Sequence, residues 1–301
     1  MKKGAIKKHF RENFSGYLMV LPLLVGILVF SYYPPISGLR LAFFDKHSNT
    51  EEVFVGFDNF RRLFQDELFL KSIPTMFKIM IPRLVIGVVV PLVMAELIFS
   101  VKSSRAQSVY RILILLPIVA PGIVNTLIWS NILDASSNGV LNGILHALGM
   151  DPNTNINWLG DYDWVIFSII FMGFPWVGGT SVLIYMSGLM GIPTEVLEAS
   201  RLDGASTMRR IFTIDLPHIL GQIKYFVVFG AIGGFQDYGT QLVLTHGGPG
   251  DATYVPAYYL FNVIQMDDDL GYASAIGVLL FVTIAITAGI LMVLFKTDRT
   301  E

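Results

Sequence analysis

Long stretches without one charged residue constrain this chain most. Asn13–Leu39, Ile112–Leu133, Trp164–Thr194 and Gly271–Phe295 contain no Asp, Glu, Lys or Arg. A helix needs roughly 20 mostly apolar residues to cross a bilayer, and every run supplies them. A buried core helix of a soluble protein seldom reaches that length and would not recur so often. Composition agrees: 15% of the residues are charged, against about 25% in soluble domains. The sequence therefore predicts an all-α, polytopic membrane protein.

Two further spans are interrupted by single charges. Ser72–Phe99 carries Lys78, Arg83 and Glu96, and Ile219–Leu244 carries Lys224 and Asp237. Six transmembrane helices result: Tyr17–Leu39, Ser72–Phe99, Val109–Leu133, Trp164–Leu189, Ile219–Leu244 and Gly271–Phe295. By this count residues 1–71 hold the N-terminus, first span and first outer loop. Residues 72–295 form a five-helix core, and 296–301 a tail. The basic start (Lys2, Lys3, Lys7, Lys8) has the look of a signal peptide, but no small-x-small cleavage site follows, so an uncleaved first span is expected.

An even number of spans puts both termini on one side, and basic residues mark the cytoplasmic side. With the termini inside, fourteen lysines and arginines lie inside and five outside. Those five (Arg40, Lys46, Arg61, Arg62, Lys71) all fall in or beside the first outer loop, whereas outer loops 134–163 and 245–270 have none. Both are Gly-, Asn- or Asp-rich, and read equally as solvated surface or as docking surface for an external protein. Val140–Leu148 has the pattern of a short helix along the outer interface.

Net charge is −2, which gives no footprint for nucleic acid. The absence of cysteine excludes disulfides and thiolate zinc sites, and the five histidines have no metal-ligand spacing. No cofactor or metal is expected. No Gly-x-x-x-x-Gly-Lys-Ser/Thr loop and no Gly-x-Ser-x-Gly turn occur, so neither phosphate binding of that kind nor serine hydrolase chemistry belongs to this chain. His246-Gly247-Gly248-Pro249 reads as a turn.

The long inner loop, residues 193–217, reads as two short helices. Thr194 is placed to cap the first, with Glu195 favourable at its positive end. Gly204 supplies the left-handed residue that ends it. Ser206 caps the second, and Pro217 is expected to terminate it before the next span.

Within this loop, Glu198-Ala199-Ser200, three residues, Gly204, nine residues, then Ile214-x-Leu216-Pro217 resembles the EAA motif of ABC importer permeases at every spacing. Ser200 replaces the commoner second alanine. Leu244-Thr245-His246-Gly247-Gly248-Pro249, Tyr258-Tyr259 and Gly271-Tyr272-Ala273-Ser274-Ala275 are similar to the carbohydrate-uptake branch, and Leu21-Pro22-Leu23-Leu24 with Tyr32-Tyr33-Pro34-Pro35 to its maltose-permease-like first subunit. The resemblance implies a type I permease core in the inner membrane of a prokaryote, importing a sugar or oligosaccharide. It further implies a second permease subunit, two ATP-binding ABC subunits and an extracytoplasmic solute-binding protein as partners. Coupling to ATPase closure would run through Glu198, Ala199, Ser200, Asp203 and Gly204, and hydrolysis would belong to the partner. An ion-driven secondary transporter, or a permease for a non-sugar solute, is the alternative.

Intramembrane charge needs a separate account. Arg83 reads as snorkelling to the outer interface and Glu96 as interfacial. On span five, Gly230, Gly233, Gly234 and Asp237 fall at i, i+3, i+4 and i+7, one helix face. Glycine faces serve close helix packing, but an acid on the same face suggests a wet cavity. At helical rise Gly230 lies ~17 Å into a ~30 Å core, and Trp176 ~18 Å below Trp164. Trp176 stacking on a sugar ring, with Thr180 and Asp237 bonding hydroxyls and the glycines leaving space, is the candidate substrate site.

Overall fold

A computed structural model of the chain describes residues 13–295. The basic residues Lys2, Lys3, Lys7, Lys8, Arg11, Lys296 and Arg299, and the tail 296–301, lie outside the described residues. Most of the described residues are helical, and strands are almost absent among them. Helices satisfy every backbone N–H and C=O within the segment, which is what lipid demands.

Two compact units are distinguished: residues up to 64 with 263–279, and 65–262 with the residues from 280 on. In the first, α1 (Phe14–Leu41) is long and apolar enough to span, with none of its apolar window buried. It tolerates Pro22 and a π-helical stretch at Ile27–Tyr32. A two-residue hairpin follows, β1 (Phe44–Asp45) antiparallel to β2 (Val53–Phe54), then α2 (Asp58–Leu63). Asn59 fastens α2 to the hairpin by donating to the carbonyls of Ala42 at 3.0 Å and Phe44 at 2.9 Å. The basic residues of the first outer loop serve this architecture. Arg40 pairs with Glu52, Arg61 with Asp58, and Arg62 with Asp269 at 2.6 Å, while Lys46 donates to the Thr50 carbonyl.

The second unit is built on α3 (Glu67–Phe99), a 33-residue helix opened by Asp66, whose carboxylate accepts from the Leu68 and Phe69 amides. Its three internal prolines are tolerated because the spanning segment is long and packed. Against α3 lie α7 (Tyr162–Phe171), α8 (Gly179–Leu189) and α11 (Leu220–Gln236). One apolar core joins Met76, Ile79 and Met80 to Val165, Ile169 and Phe235. A second joins Ala95 and Ile98 to Val182, Tyr185, Leu189 and Ile219. The remaining helices are α4 (Ser104–Val119), α5 (Gly122–Ile132), α6 (Val140–Ala147), α9 (Thr194–Leu202), α10 (Thr207–His218), α12 (Pro256–Gln265) and α13 (Leu270–Leu294). The short helix expected at Val140–Leu148 is thus present as α6.

Several expected spans are not continuous. Among the described residues only α1, α3 and α13 are single helices of spanning length, and counting bent pairs gives up to six spans. The third expected span breaks at Ala120-Pro121, where α4 and α5 meet at 88°. The fourth is two helices, α7 of 10 residues and α8 of 11, separated by Met172–Gly178. The fifth stops at Gln236 and resumes as a π-helical turn, Gln241–Thr245. Hydropathy averages over a window and does not register such breaks. Prolines and positive-φ residues do: Pro121 caps α5, and Gly173 and Trp176 have φ of 93° and 55°.

Candidate functional site

Two places in the second unit gather polar groups that an apolar bundle would otherwise exclude. The first is a cavity of about 490 Å³ among α3, α8 and α11. Arg83 enters it from α3 and Asp237 from the end of α11; Arg83 Nη1 donates to Asp237 Oδ2 at 2.8 Å. Arg83 is thus paired with a carboxylate 154 positions away. Asp237 is not on the helix face either: it is the C-cap of α11, with extended backbone (φ −71°, ψ 117°) that turns the chain toward the π-helical segment. Thr240 Oγ1 lies 3.2 Å from Asp237 Oδ2 and can donate to it.

Gly230, Gly233 and Gly234 all line this cavity, but they do different work. A Cβ on Gly230 would overlap Leu84, and one on Gly234 would overlap Met80 at its Cγ. Those two glycines let α11 approach α3 closely. Gly233 has nothing within 4 Å of that position and is the glycine that leaves space.

Trp176 is not in a helix. It sits in the Met172–Gly178 break, donates its Nε1–H to the Ile170 carbonyl at 3.2 Å, and presents its ring edge-on to Phe171 and Phe174. With Gly173 and Val177 it lines a neighbouring groove of about 290 Å³, which shares Arg83 and Gly87 with the main cavity. Thr180 is exposed and lines neither; Ser181, its neighbour, lines the main cavity. Gln241 also lines the cavity, 1% exposed, and sequence reading missed it. Its signal was a lone amide between Thr240 and Leu242, in a span assumed to continue as an α-helix.

The second place is the 193–217 loop. Here α9 begins at Thr194 with Pro193 as its N-cap, so Thr194 is the first helical residue and caps nothing with its side chain. Glu195 lies in the first turn, as expected. Gly204 has φ +70°, and the Ala205 amide donates to the Ser200 carbonyl at 3.0 Å, closing the helix end. Ser206 Oγ accepts from the Arg209 amide and caps α10. Pro217 does not end α10; it lies in the last turn, and the break comes at Ile219 (φ −99°, ψ 15°), where α10 and the following segment bend by 68°. Glu198, Ala199, Asp203 and Gly204 are exposed, while Ser200 is buried and donates to the Leu197 carbonyl at 2.8 Å. Leu202 is 88% exposed and Met208 67%, an apolar tip with no cover among the described residues.

A charge cluster fastens this loop to α3. Arg210 Nε donates to Asp215 Oδ2 at 2.9 Å, its Nη2 is 3.9 Å from Glu96 Oε2, and its guanidinium lies over the Phe99 ring. Asp215 is fully buried and Glu96 nearly so. Glu96, in the last turn of α3, thus packs against Arg210 of this loop. The turn 246–250 is also a built feature: Thr253, fully buried, bonds both Thr245 and the Gly248 carbonyl.

The family described as "Binding-protein-dependent transport system inner membrane component" matches residues 87–299. Among curated relatives, the probable ABC transporter permease protein YesP of Bacillus subtilis is 30% identical, covering 99% of this chain and 94% of that protein. The trehalose/maltose transport system permease protein MalF of Thermococcus litoralis is 30% identical over 92% of each. The fold is shared with a chain of a bacterial ABC transporter involved in the import of the acidic polysaccharide alginate, with a TM-score of 0.85 and 23% identity over 99% of this chain and all of that one.

Proposed function

The chain belongs to the family of binding-protein-dependent transport system inner membrane components, and from that premise we propose that it forms half of the path by which a saccharide enters a prokaryotic cytoplasm. As a permease subunit it is a transport protein and not an enzyme, and its sequence has no nucleotide-binding loop. Two of the proteins it resembles carry names that refer to trehalose and maltose or to alginate. That supports a carbohydrate as cargo.

The observation that carries the reading is the exposed helix pair α9–α10 with Gly204 at φ +70° between them. Glu198, Asp203 and the bare Leu202 tip offer charge and apolar surface for a groove on an ATP-binding subunit. Because Arg210, held within α10 by Asp215, reaches Glu96 and the Phe99 ring at the end of α3, a push on the loop reaches the helix that carries Arg83. The other partners are a second permease and an extracytoplasmic solute-binding protein, with both termini of this chain cytoplasmic. The cavity with Gly233, Asp237 and Ser181 is the substrate path, flanked by the Trp176 groove.

The test is reconstitution. The complete complex in liposomes should take up saccharide only with ATP and binding protein, and the lone chain should neither hydrolyse ATP nor move sugar. Ion-driven uptake by the lone chain would turn the assignment to a secondary transporter.

A further inference from the structure

The cavity carries its own cation and anion, already paired. Arg83 and Asp237 are each about a third exposed (33% and 29%) and lie 2.8 Å apart. A third polar group faces the same space. Gln241 is 1% exposed, and its Oε1 has no hydrogen-bond partner among the described residues. A buried amide oxygen is an acceptor only, so what it lacks is an N–H or O–H donor.

These groups rank possible ligands. A carboxylate entering the cavity must compete with Asp237 for Arg83 and then sit beside Asp237. An ammonium must displace Arg83 and then sit beside it. Either event breaks a partly desolvated ion pair and leaves one partner facing a like charge. An uncharged polyol does neither. It can accept from the remaining guanidinium N–H groups, donate to Asp237, and give Gln241 Oε1 the missing donor. The geometry points to Arg83 and Gln241 as specificity-determining residues: Arg83 neutralises Asp237, so the cavity takes uncharged, hydroxyl-rich saccharides and rejects uronate-bearing ones, and Gln241 Oε1 accepts a ligand hydroxyl. This assignment rests on the chain being a saccharide permease.

Saturation-transfer NMR on the purified permease–ATPase complex, without binding protein, reads the cavity's own preference. Neutral trisaccharides (maltotriose, cellotriose, xylotriose) and trigalacturonate are the probes. At least one neutral trisaccharide should bind the wild type about tenfold better than trigalacturonate. Asp237→Asn leaves Arg83 unpaired and should raise trigalacturonate binding about tenfold. The charge-free pair Arg83→Gln with Asp237→Asn should return the preference to neutral sugars, which separates lost charge from lost fold. Gln241→Leu should weaken the neutral ligand about fivefold or more. Equal or absent signals from both probe classes in the wild type, or single variants with an unchanged ratio, would overturn the charge assignment. An unaffected Gln241→Leu would mean that water alone satisfies the amide and would remove its role. ATP-driven uptake is measured in parallel on the complete transporter. Absence of uptake for every saccharide defeats the permease reading itself, whereas uptake with unchanged selectivity defeats only this inference.

Discussion

Arg210 Nε donates to Asp215 Oδ2 at 2.9 Å across a π-helical turn, and the receiving carboxylate is fully buried. With Glu96 on its other side, this one arginine serves two buried acids. Removing one partner of a buried ion pair is worse than never having had it, because the other charge stays desolvated. Arg210→Met should therefore cost about 3 kcal/mol or more, and Glu96→Gln less, since Glu96 is the more distant acid at 3.9 Å. Thermal unfolding of the purified complex, with hydrogen exchange over residues 205–218, checks this. Unchanged exchange in Arg210→Met would show that the loop is held by its apolar contacts alone.

Gly204 tests the loop by conformation rather than by space. Nothing lies within 4 Å of the position a Cβ would take, yet its φ is +70°. A β-branched side chain there stores strain of about 1–3 kcal/mol, while asparagine accepts the left-handed region. Gly204→Val should insert normally, copurify poorly with the ATPase and lose uptake, and Gly204→Asn should retain most of it. Glu198→Ala should likewise insert normally and weaken ATPase association. If both valine and alanine variants transport at the wild-type rate, the loop does not couple.

The two kinds of cavity glycine should separate in the laboratory. Gly234→Ala pushes against Met80 close to its backbone, so overpacking of about 1–3 kcal/mol is expected, read as a lower melting temperature. Gly233→Leu points into open space and should leave the melting temperature near that of the wild type while blocking sugar passage. Equal loss of stability in both would return Gly233 to helix packing.

Trp176 combines a positive φ with a hydrogen bond from its indole to Ile170. Trp176→Phe keeps an aromatic edge against Phe171 and Phe174 but drops that bond, at a cost of about 1 kcal/mol. If the ring stacks on sugar from the flanking groove, Trp176→Phe should raise KM modestly and Trp176→Ala much more, at similar expression. Parallel losses of expression and uptake would make the residue structural.

What this sequence determined by itself is what local physics controls. Long uncharged runs require membrane helices, and the glycine and serine at 204 and 206 shape the turn between two helices through backbone freedom and a cap, both local devices. Those features were legible and stand. The partners of Arg83, Gly234 and Glu96 were decided by tertiary structure alone: Asp237, Met80 and Arg210 are remote in sequence, and a uniformly apolar helix carries no amphipathic stripe to say which face meets which neighbour. The breaks at Met172–Gly178 and at Asp237 belong to the same class. Broken backbone is costly in lipid and persists only where packed neighbours or a polar cavity satisfy it, so the fold, and not the hydropathy of the segment, chose where α7 and α11 stop.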